Sequence, residues 1–341
     1  MDRREFITAA VAIPTAASID GLDSIAPATP PARVGATDIA QVRDAAISVK
    51  RGDMRWGGGF GFDAALVSTR RARDLLEARC PERLRPDLFV AVGWLASNTG
   101  FMAFDSQRYR DAARLWNVAS RCAEDAMNWS LQARVLGCMA RQATWLDRPD
   151  DAVGLLQRAI DGDRGQLVPT ERAMLWALRA RACAQMGDAA GAEEAIGSAD
   201  QWFAARRPKE CEDRPWVAHY SHEHHWGDTG LAWHHLAVNS GDPHAVVEAA
   251  GRHQAAADGH RTDEARSHAL SLVALAKLDA RVGDLDRGVA AGHRALDAAL
   301  QVRSGRVRED LVALYEATGK HAARSDVAEL RERIASSLLV A

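Results

Sequence analysis

The sequence predicts an all-α protein, and within that class a right-handed α-solenoid in which helical hairpins stack side by side. From residue 38 onward, segments rich in Ala, Leu and Arg carry apolar residues at positions i, i+3, i+4 and i+7, the spacing of one helix face. The alternation of apolar and polar residues that a strand requires is almost absent. Short turns separate these segments and recur along the chain, which indicates a repeat built as helix-turn-helix.

Length and composition describe an ordinary globular protein. The chain has 341 residues, of which 47% are hydrophobic and 26% are charged. It holds no run of about 18 apolar residues, so neither a membrane-spanning helix nor a membrane partner is predicted. The 43 Lys and Arg are outnumbered by 46 Asp and Glu, a balance that disfavours direct binding of nucleic acid.

The amino terminus differs in character from the rest of the chain. Arg3-Arg4-Glu5-Phe6-Ile7 precedes a short run of small and apolar residues, which looks like a twin-arginine export signal. Residues 21–35 are rich in Pro, Ala and Ser and read as a linker. We therefore expect an arm and linker over residues 1–35 and the solenoid over residues 36–341.

The cysteines favour a reducing compartment. The five Cys form an odd number without a CxxC spacing, which argues against a disulfide framework or a zinc knuckle. Cys122, Cys138 and Cys183 fall in helical segments, where a thiol acts as a small apolar group. The cytoplasm is the predicted location, and export through the twin-arginine-like segment is the alternative.

Glycine and aspartate mark the predicted turns between helices. A Gly at the end of a helix permits a left-handed cap, and the Asp that follows it can cap the next helix. Gly187-Asp188, Gly241-Asp242 and Gly283-Asp284 show the pattern. The turns lie at residues 146–148, 186–188, 240–242, 282–284 and 318–320.

The second helix of several predicted hairpins carries a small, a bulky and a small residue at positions i, i+4 and i+7. Small residues at these places let the two helices of a hairpin approach closely. The spacing is typical of tetratricopeptide repeats, and about five units followed by a terminal helix over residues 322–339 fill the chain. The triads are Ala112–Trp116–Ala119, Ala152–Leu156–Ala159 and Ala192–Ile196–Ala199.

Four short segments carry a resemblance to a known family: Met1-Asp2-Arg3-Arg4-Glu5-Phe6, Arg55-Trp56-Gly57-Gly58-Gly59, Gly93-Trp94-Leu95-Ala96 and Gly227-Asp228-Thr229-Gly230. With these segments the chain resembles the carboxy-terminal tetratricopeptide-like region of actinobacterial helix-turn-helix transcriptional regulators of the xenobiotic-response-element family. A helix-turn-helix domain precedes that region in the family and does not precede Met1 here, so direct DNA recognition is not expected. The resemblance implies a regulatory or ligand-sensing module.

The twelve His all lie between His219 and His321, and six of them fall within residues 219–235. If this stretch is helical, one of its faces carries two His and two Trp, and first helices of earlier hairpins carry further Trp. Aromatic side chains on a concave surface can bind an extended or flat partner, although a Trp stripe at helical spacing also suits packing between repeats. The predicted ligand-binding residues are His219, His222, Trp226, Trp233, Trp94 and Trp176.

The predicted function is therefore a non-enzymatic regulatory or sensory module that binds a peptide, a protein partner or a small effector in its concave groove. The alternative is an enzyme on a recruited solenoid, with the His219–His235 cluster as its acid/base or metal site. His224 or His225 can pair with Asp228 as metal ligands, but the sequence shows no third ligand and no HExxH pattern. No metal, cofactor or catalytic residue is predicted, and a homodimer is left open.

The glycine run of residues 57–61 does not fit a phosphate-binding loop. Such a loop follows a strand and is followed by Lys and Ser or Thr, and neither feature is present. The run predicts a turn that leads into a helix from Asp63.

Overall fold

The protein is all-helical in the residues that its computed structural model describes, which are 32–207 and 209–340. No strand occurs among them, and an isolated bridge joins Arg33 to Arg79. The predicted arm over residues 1–35 lies almost wholly outside this part of the chain. The long helices are α1 (Ala36–Trp56), α2 (Gly58–Asp74), α3 (Arg85–Asp105), α4 (Tyr109–Asp125), α5 (Trp129–Trp145), α6 (Pro149–Asp161), α7 (Pro169–Met186), α8 (Ala189–Ala204), α9 (His222–Ser240), α10 (Pro243–Gly259), α11 (Ala265–Arg281), α12 (Leu285–Ala299), α13 (Gly305–Ala317) and α14 (Ser325–Val340).

The predicted turns occur between helices. The predicted left-handed glycine cap is present at Gly187 and Gly241 and absent at Gly283 and Gly319. Gly187 and Gly241 end α7 and α9 with φ of 82° and 69°, in the left-handed region that Gly adopts at low cost. Asp188 then accepts a hydrogen bond from the Gly191 amide, and Asp242 accepts one from the His244 amide. The side chain of each Asp thereby satisfies a backbone donor that the new helix leaves unpaired.

Consecutive helices pack as hairpins, which are α3/α4, α5/α6, α7/α8, α9/α10 and α11/α12. The first helix of each hairpin also contacts the first helix of the next, so α3, α5, α7, α9 and α11 form one continuous layer. The three small–bulky–small triads lie in the second helices α4, α6 and α8, where every member is buried. At the close approach within the first hairpin, a Cβ on Gly100 would stand 2.6 Å from Trp116 Nε1.

The two ends of this helical array meet. The amide of Arg303 donates to the carbonyl of Trp56 at 2.7 Å, and the amide of Gly59 donates to the carbonyl of Arg303 at 2.9 Å. Helix α1 also packs against α11. We call the contact between residues 56–59 and residues 303–306 the closing contact.

The glycine run belongs to the closing contact, and this corrects the predicted turn. Helix α2 begins at Gly58 rather than at Asp63. Gly57 has φ of 80°, and a Cβ there would stand 2.6 Å from the carbonyl oxygen of Arg303. The run is therefore needed because two backbones approach each other closely here, and not only because the chain turns.

A buried carboxylate, that of Asp105, stabilises the closing contact through hydrogen bonds to both of its sides. Asp105 accepts hydrogen bonds from the Gly58 amide at 2.8 Å, from Ser304 Oγ at 2.9 Å and from Arg306 Nε at 2.9 Å. Burial opposes its ionisation, but Arg266, Arg306 and these donors together hold the pKa of Asp105 below its usual range. The side chain therefore carries a negative charge that joins residues far apart in the sequence.

In the described part of the chain, no helix is long and apolar enough to cross a membrane. Cys122, Cys138 and Cys183 lie buried in helices as predicted, and burial raises the pKa of the Cys122 thiol to about 12.

Candidate functional site

A cavity of about 260 Å³ lies at the centre of the molecule. The layer of first helices supplies most of its wall, and α1 and α13 complete it where the ends of the array meet. We call it the central cavity. The repeat in the sequence produces this cavity, because side chains at equivalent positions of successive first helices point toward the same space.

Positive charge dominates the wall of the central cavity. Eight basic side chains line it against four carboxylates. The basic residues are Lys50, Arg134, Arg141, Arg181, Arg266, Lys277, Arg281 and Arg306, and the carboxylates are Glu171, Glu223, Asp228 and Asp310.

Some of these cations are neutralised by partners. Arg141 forms a bidentate pair with Asp228, with both hydrogen bonds at 2.8 Å, and Lys277 pairs with Asp310 at 2.5 Å. Arg266 and Arg306 pair with Asp53 and Asp105, which lie behind the wall. These ion pairs fix the shape of the cavity. Because each cation is balanced by a carboxylate, the pairs add little net charge to the wall.

The other cations have no carboxylate within 4.0 Å among the described residues. Arg181 forms no hydrogen bond there either, and its Nε is buried and unsatisfied. Burial, followed by the charge of Arg141, lowers the pKa of Arg181 to about 10. Burial also lowers the pKa of Lys50 to about 7, although Asp53 opposes the shift. Lys50 Nζ also lies over the ring of Phe101, 5.3 Å from its centroid. A buried cation without a counter-charge is destabilising, so Arg181 favours an anion in the cavity.

Three imidazoles form the wall next to Arg181 and Lys277. His234 Nδ1 and both ring nitrogens of His253 are buried without a hydrogen-bond partner in the described residues. Burial, followed by nearby cations, lowers the pKa of His235 and of His253 to about 3. These rings are neutral at physiological pH, and each can donate to or accept from a bound molecule.

A second group of titratable side chains lies where α9 meets the start of α11, and two of its three members, His224 and His260, line the cavity. One ligand atom from each of His224, His260 and Glu264 lies within 4.8 Å of the others. His224 lies on α9, His260 directly follows α10, and Glu264 lies in the 3₁₀ turn before α11. The sequence showed no third ligand beside Asp228 because the two partners of His224 lie in the connection between α10 and α11, at least 36 residues further along the chain.

The structure does not bring the six sequence-predicted binding residues to one surface. His219 lines the central cavity, from the loop before α9. His222 and Trp226 line a shallow depression between α8, α9 and α10, with their ring centroids 5.4 Å apart. Trp94 and Trp233 are buried in the core, and Trp94 packs edge-on against Trp216.

The sixth predicted residue, Trp176, is half-buried on α7 and packs against the core with Arg179 over its ring. The reason for the dispersal is the rotation of α9. Its face with His224, Asp228 and His235 points into the central cavity, whereas the face with Trp226 and Trp233 points toward α8 and α10.

Sequence reasoning missed Lys50, Arg181, His260 and Glu264 as site residues. Arg is abundant throughout the chain, so no single Arg stands out in the sequence. The confinement of all His to residues 219–321 was a usable signal, since it brings His253 and His260 into consideration beside the cluster of residues 219–235.

Comparison of the sequence with protein-family models and with curated proteins gives no match. The geometry of the central cavity therefore carries the functional argument.

Proposed function

We propose that the protein is a binding module that takes up a small anionic effector in its central cavity. In this proposal the fold is a right-handed α-solenoid of tetratricopeptide-like hairpins, closed by the contact between its ends. The observation that carries the proposal is the positive charge of Arg181, which lines that cavity and whose buried Nε has no hydrogen-bond partner in the described residues.

The size of the cavity favours a small molecule over a peptide. Its volume of about 260 Å³ lies just under the range of about 300–1,000 Å³ that is common for small-molecule sites. Its wall combines apolar and polar groups, which is also typical of such sites. Among the partners that the sequence allowed, a small effector therefore fits best.

The regulatory role and the cytoplasmic location rest on other grounds. The regulatory role is supported by the resemblance to the sensory regions of helix-turn-helix regulators. The cytoplasmic location is supported by the buried, free thiols. The alternative location is outside the cytoplasm, after export through the twin-arginine-like arm. The mass of the mature natural chain distinguishes the two locations, because export would remove a signal segment that starts at Met1.

Calorimetric titration with inorganic phosphate, pyrophosphate and citrate at low salt tests the anion proposal. At least one of them should bind once per chain. Arg181→Gln should weaken that binding about 10- to 100-fold, because a hydrogen bond to a charged group contributes about 1.5–3 kcal/mol. The matched control is Arg121→Gln, which removes the same charge from an exposed position on α4 and should change the affinity less than about twofold. Equal losses in both variants, or binding of none of the anions, would contradict the proposal.

The second candidate function is an enzyme that uses the same cavity. The observation that favours it is the group formed by Glu264 with His224 and His260, two residues that line the cavity. Turnover of a bound anion that stops in Glu264→Gln and persists in Arg121→Gln would support this candidate. An anion recovered unchanged after long incubation with the protein would support the sensor instead.

A further inference from the structure

The residues around the carboxyl end of α10 have the arrangement of a metal centre. His224 Nδ1 lies 3.8 Å from Glu264 Oε1, and His260 Nδ1 lies 3.4 Å from Glu264 Oε2. Ligands bound tetrahedrally at about 2.0–2.2 Å from zinc stand roughly 3.3 Å apart. The two contacts with Glu264 are thus close to the separation at which a metal ion holds its ligands, and the three ligand atoms all lie within 4.8 Å of one another.

One of these two contacts is a long hydrogen bond, and the other is not a hydrogen bond. A contact of 3.8 Å exceeds the length of a hydrogen bond, and 3.4 Å is long for one. The Arg261 amide donates to Glu264 Oε2 at 3.1 Å, which fixes the carboxylate without help from the imidazoles. Ser221 Oγ lies 3.1 Å from His224 Nδ1, a contact that a metal ion at this nitrogen would replace.

The far side of each imidazole has a hydroxyl partner. Ser267 Oγ lies 3.4 Å from His224 Nε2, and Ser271 Oγ lies 3.3 Å from His260 Nε2. The two Ser stand one turn apart on α11. Metal-ligating His commonly use their second nitrogen in this way, and the outer partner fixes the orientation of the ring.

We propose that His224, His260 and Glu264 bind one divalent transition-metal ion beside the central cavity, whose wall contains the two His. Two imidazoles and one carboxylate are a donor set for zinc and for iron(II). Three protein ligands leave at least one coordination position for water or for a molecule in the cavity. Glu223, which also lines the cavity near His260, adds negative charge on the same side.

This metal site stands apart from the anion proposal, because its ligands require no bound anion. The two combine simply, since an anion in the cavity can occupy the open position on the metal. The metal would then contribute to anion affinity, and loss of Glu264 would affect both kinds of binding.

Titration of chelator-treated protein with zinc against a competing chelator tests the site, and cobalt(II) absorption in the visible range reports its coordination. One ion should bind per chain, and Glu264→Gln and His224→Asn should each weaken zinc binding at least about 10-fold. His222→Asn is the matched control, because it removes an exposed imidazole two residues away and should leave the affinity unchanged. Ser271→Ala keeps all three ligands and should weaken binding by a smaller factor.

Folding of each variant is checked by circular dichroism, and the wild-type titration is informative by itself. Absence of stoichiometric zinc and cobalt binding in the wild-type chain would overturn the metal site, whatever the variants do. Binding that is equally strong in His224→Asn and in the wild type would overturn it as well, because the ion would then sit elsewhere. Phosphate titration of the metal-free protein tests the anion proposal alone, so failure of one proposal can be distinguished from failure of the other.

Discussion

Two glycines near the closing contact show how differently one residue type acts at two places. Gly52 lies within α1, and nothing stands within 4 Å of a Cβ placed on it. A Cβ on Gly58 would stand 2.3 Å from the carbonyl oxygen of Met102 and 2.9 Å from Asp105 Cβ. Gly52 therefore weakens its helix for no gain in packing, whereas Gly58 lets two helices touch.

The two alanine substitutions should have opposite signs. Gly52→Ala should raise the free energy of unfolding by about 0.5–1 kcal/mol, the usual gain from Ala within a helix. Gly58→Ala should lower it by about 1–3 kcal/mol, because the new methyl group forces the backbones apart. Urea denaturation of both variants measures the difference. Stabilisation by Gly58→Ala would show that the closing contact is looser than described.

The same residues show what the sequence can and cannot predict. Gly187 and Asp188 act on their own neighbours, so their roles as caps were predicted from spacing alone. Gly58 acts on Met102 and Asp105, which no local pattern reveals. The Trp side chains were placed on one helix face, but which face points inward depends on how α9 packs against α8 and α10.

At the scale of elements, the buried charge of Asp105 links α3 to the starts of α2 and α13. Asp105→Asn should lower the free energy of unfolding by about 3–5 kcal/mol, because Arg306 and Arg266 lose their shared counter-charge while they stay buried. Asp111→Asn, which removes a partly exposed partner of Arg108, should change it by less than about 1 kcal/mol. Thermal or urea unfolding compares the two. Similar small losses in both variants would contradict the role given to Asp105.

The pairing of α9 with α10 makes the protein sensitive to acid. His235 and His253 have a pKa of about 3 in the folded chain, whereas in the unfolded chain each titrates near about 6.5. Below pH ~6.5 the unfolded state therefore binds more protons, and stability falls until pH reaches about 3. Each group contributes up to ~1.4 kcal/mol for each pH unit in that window.

His235→Gln should reduce the slope of the free energy of unfolding against pH by up to ~1.4 kcal/mol for each pH unit. At pH 8 the His235 imidazole is uncharged in both the folded and the unfolded protein. The difference in stability between variant and wild type at pH 8 therefore measures the effect of the substitution on packing, and it is subtracted at lower pH. Urea denaturation from pH 8 to pH 4 measures the slopes. An unchanged slope in His235→Gln would show that this imidazole is protonated in the folded protein.

At the scale of the whole molecule, closure of the helical array turns a concave surface into a cavity. The sequence predicted the hairpins and their turns, since both depend on periodicity and on local caps. It did not predict that α1 meets α11, because that contact joins the two ends of the array. The central cavity and its charge follow from that contact.

In the proposed function, Arg181 and the neighbouring cations of the central cavity bind an anion. A crystal structure of the protein grown with pyrophosphate tests it most directly. The account predicts one pyrophosphate inside the central cavity, within hydrogen-bond distance of Arg181 Nε, with the closing contact unchanged. A cavity without pyrophosphate, in crystals that hold the anion only on the outer surface or not at all, would contradict the account.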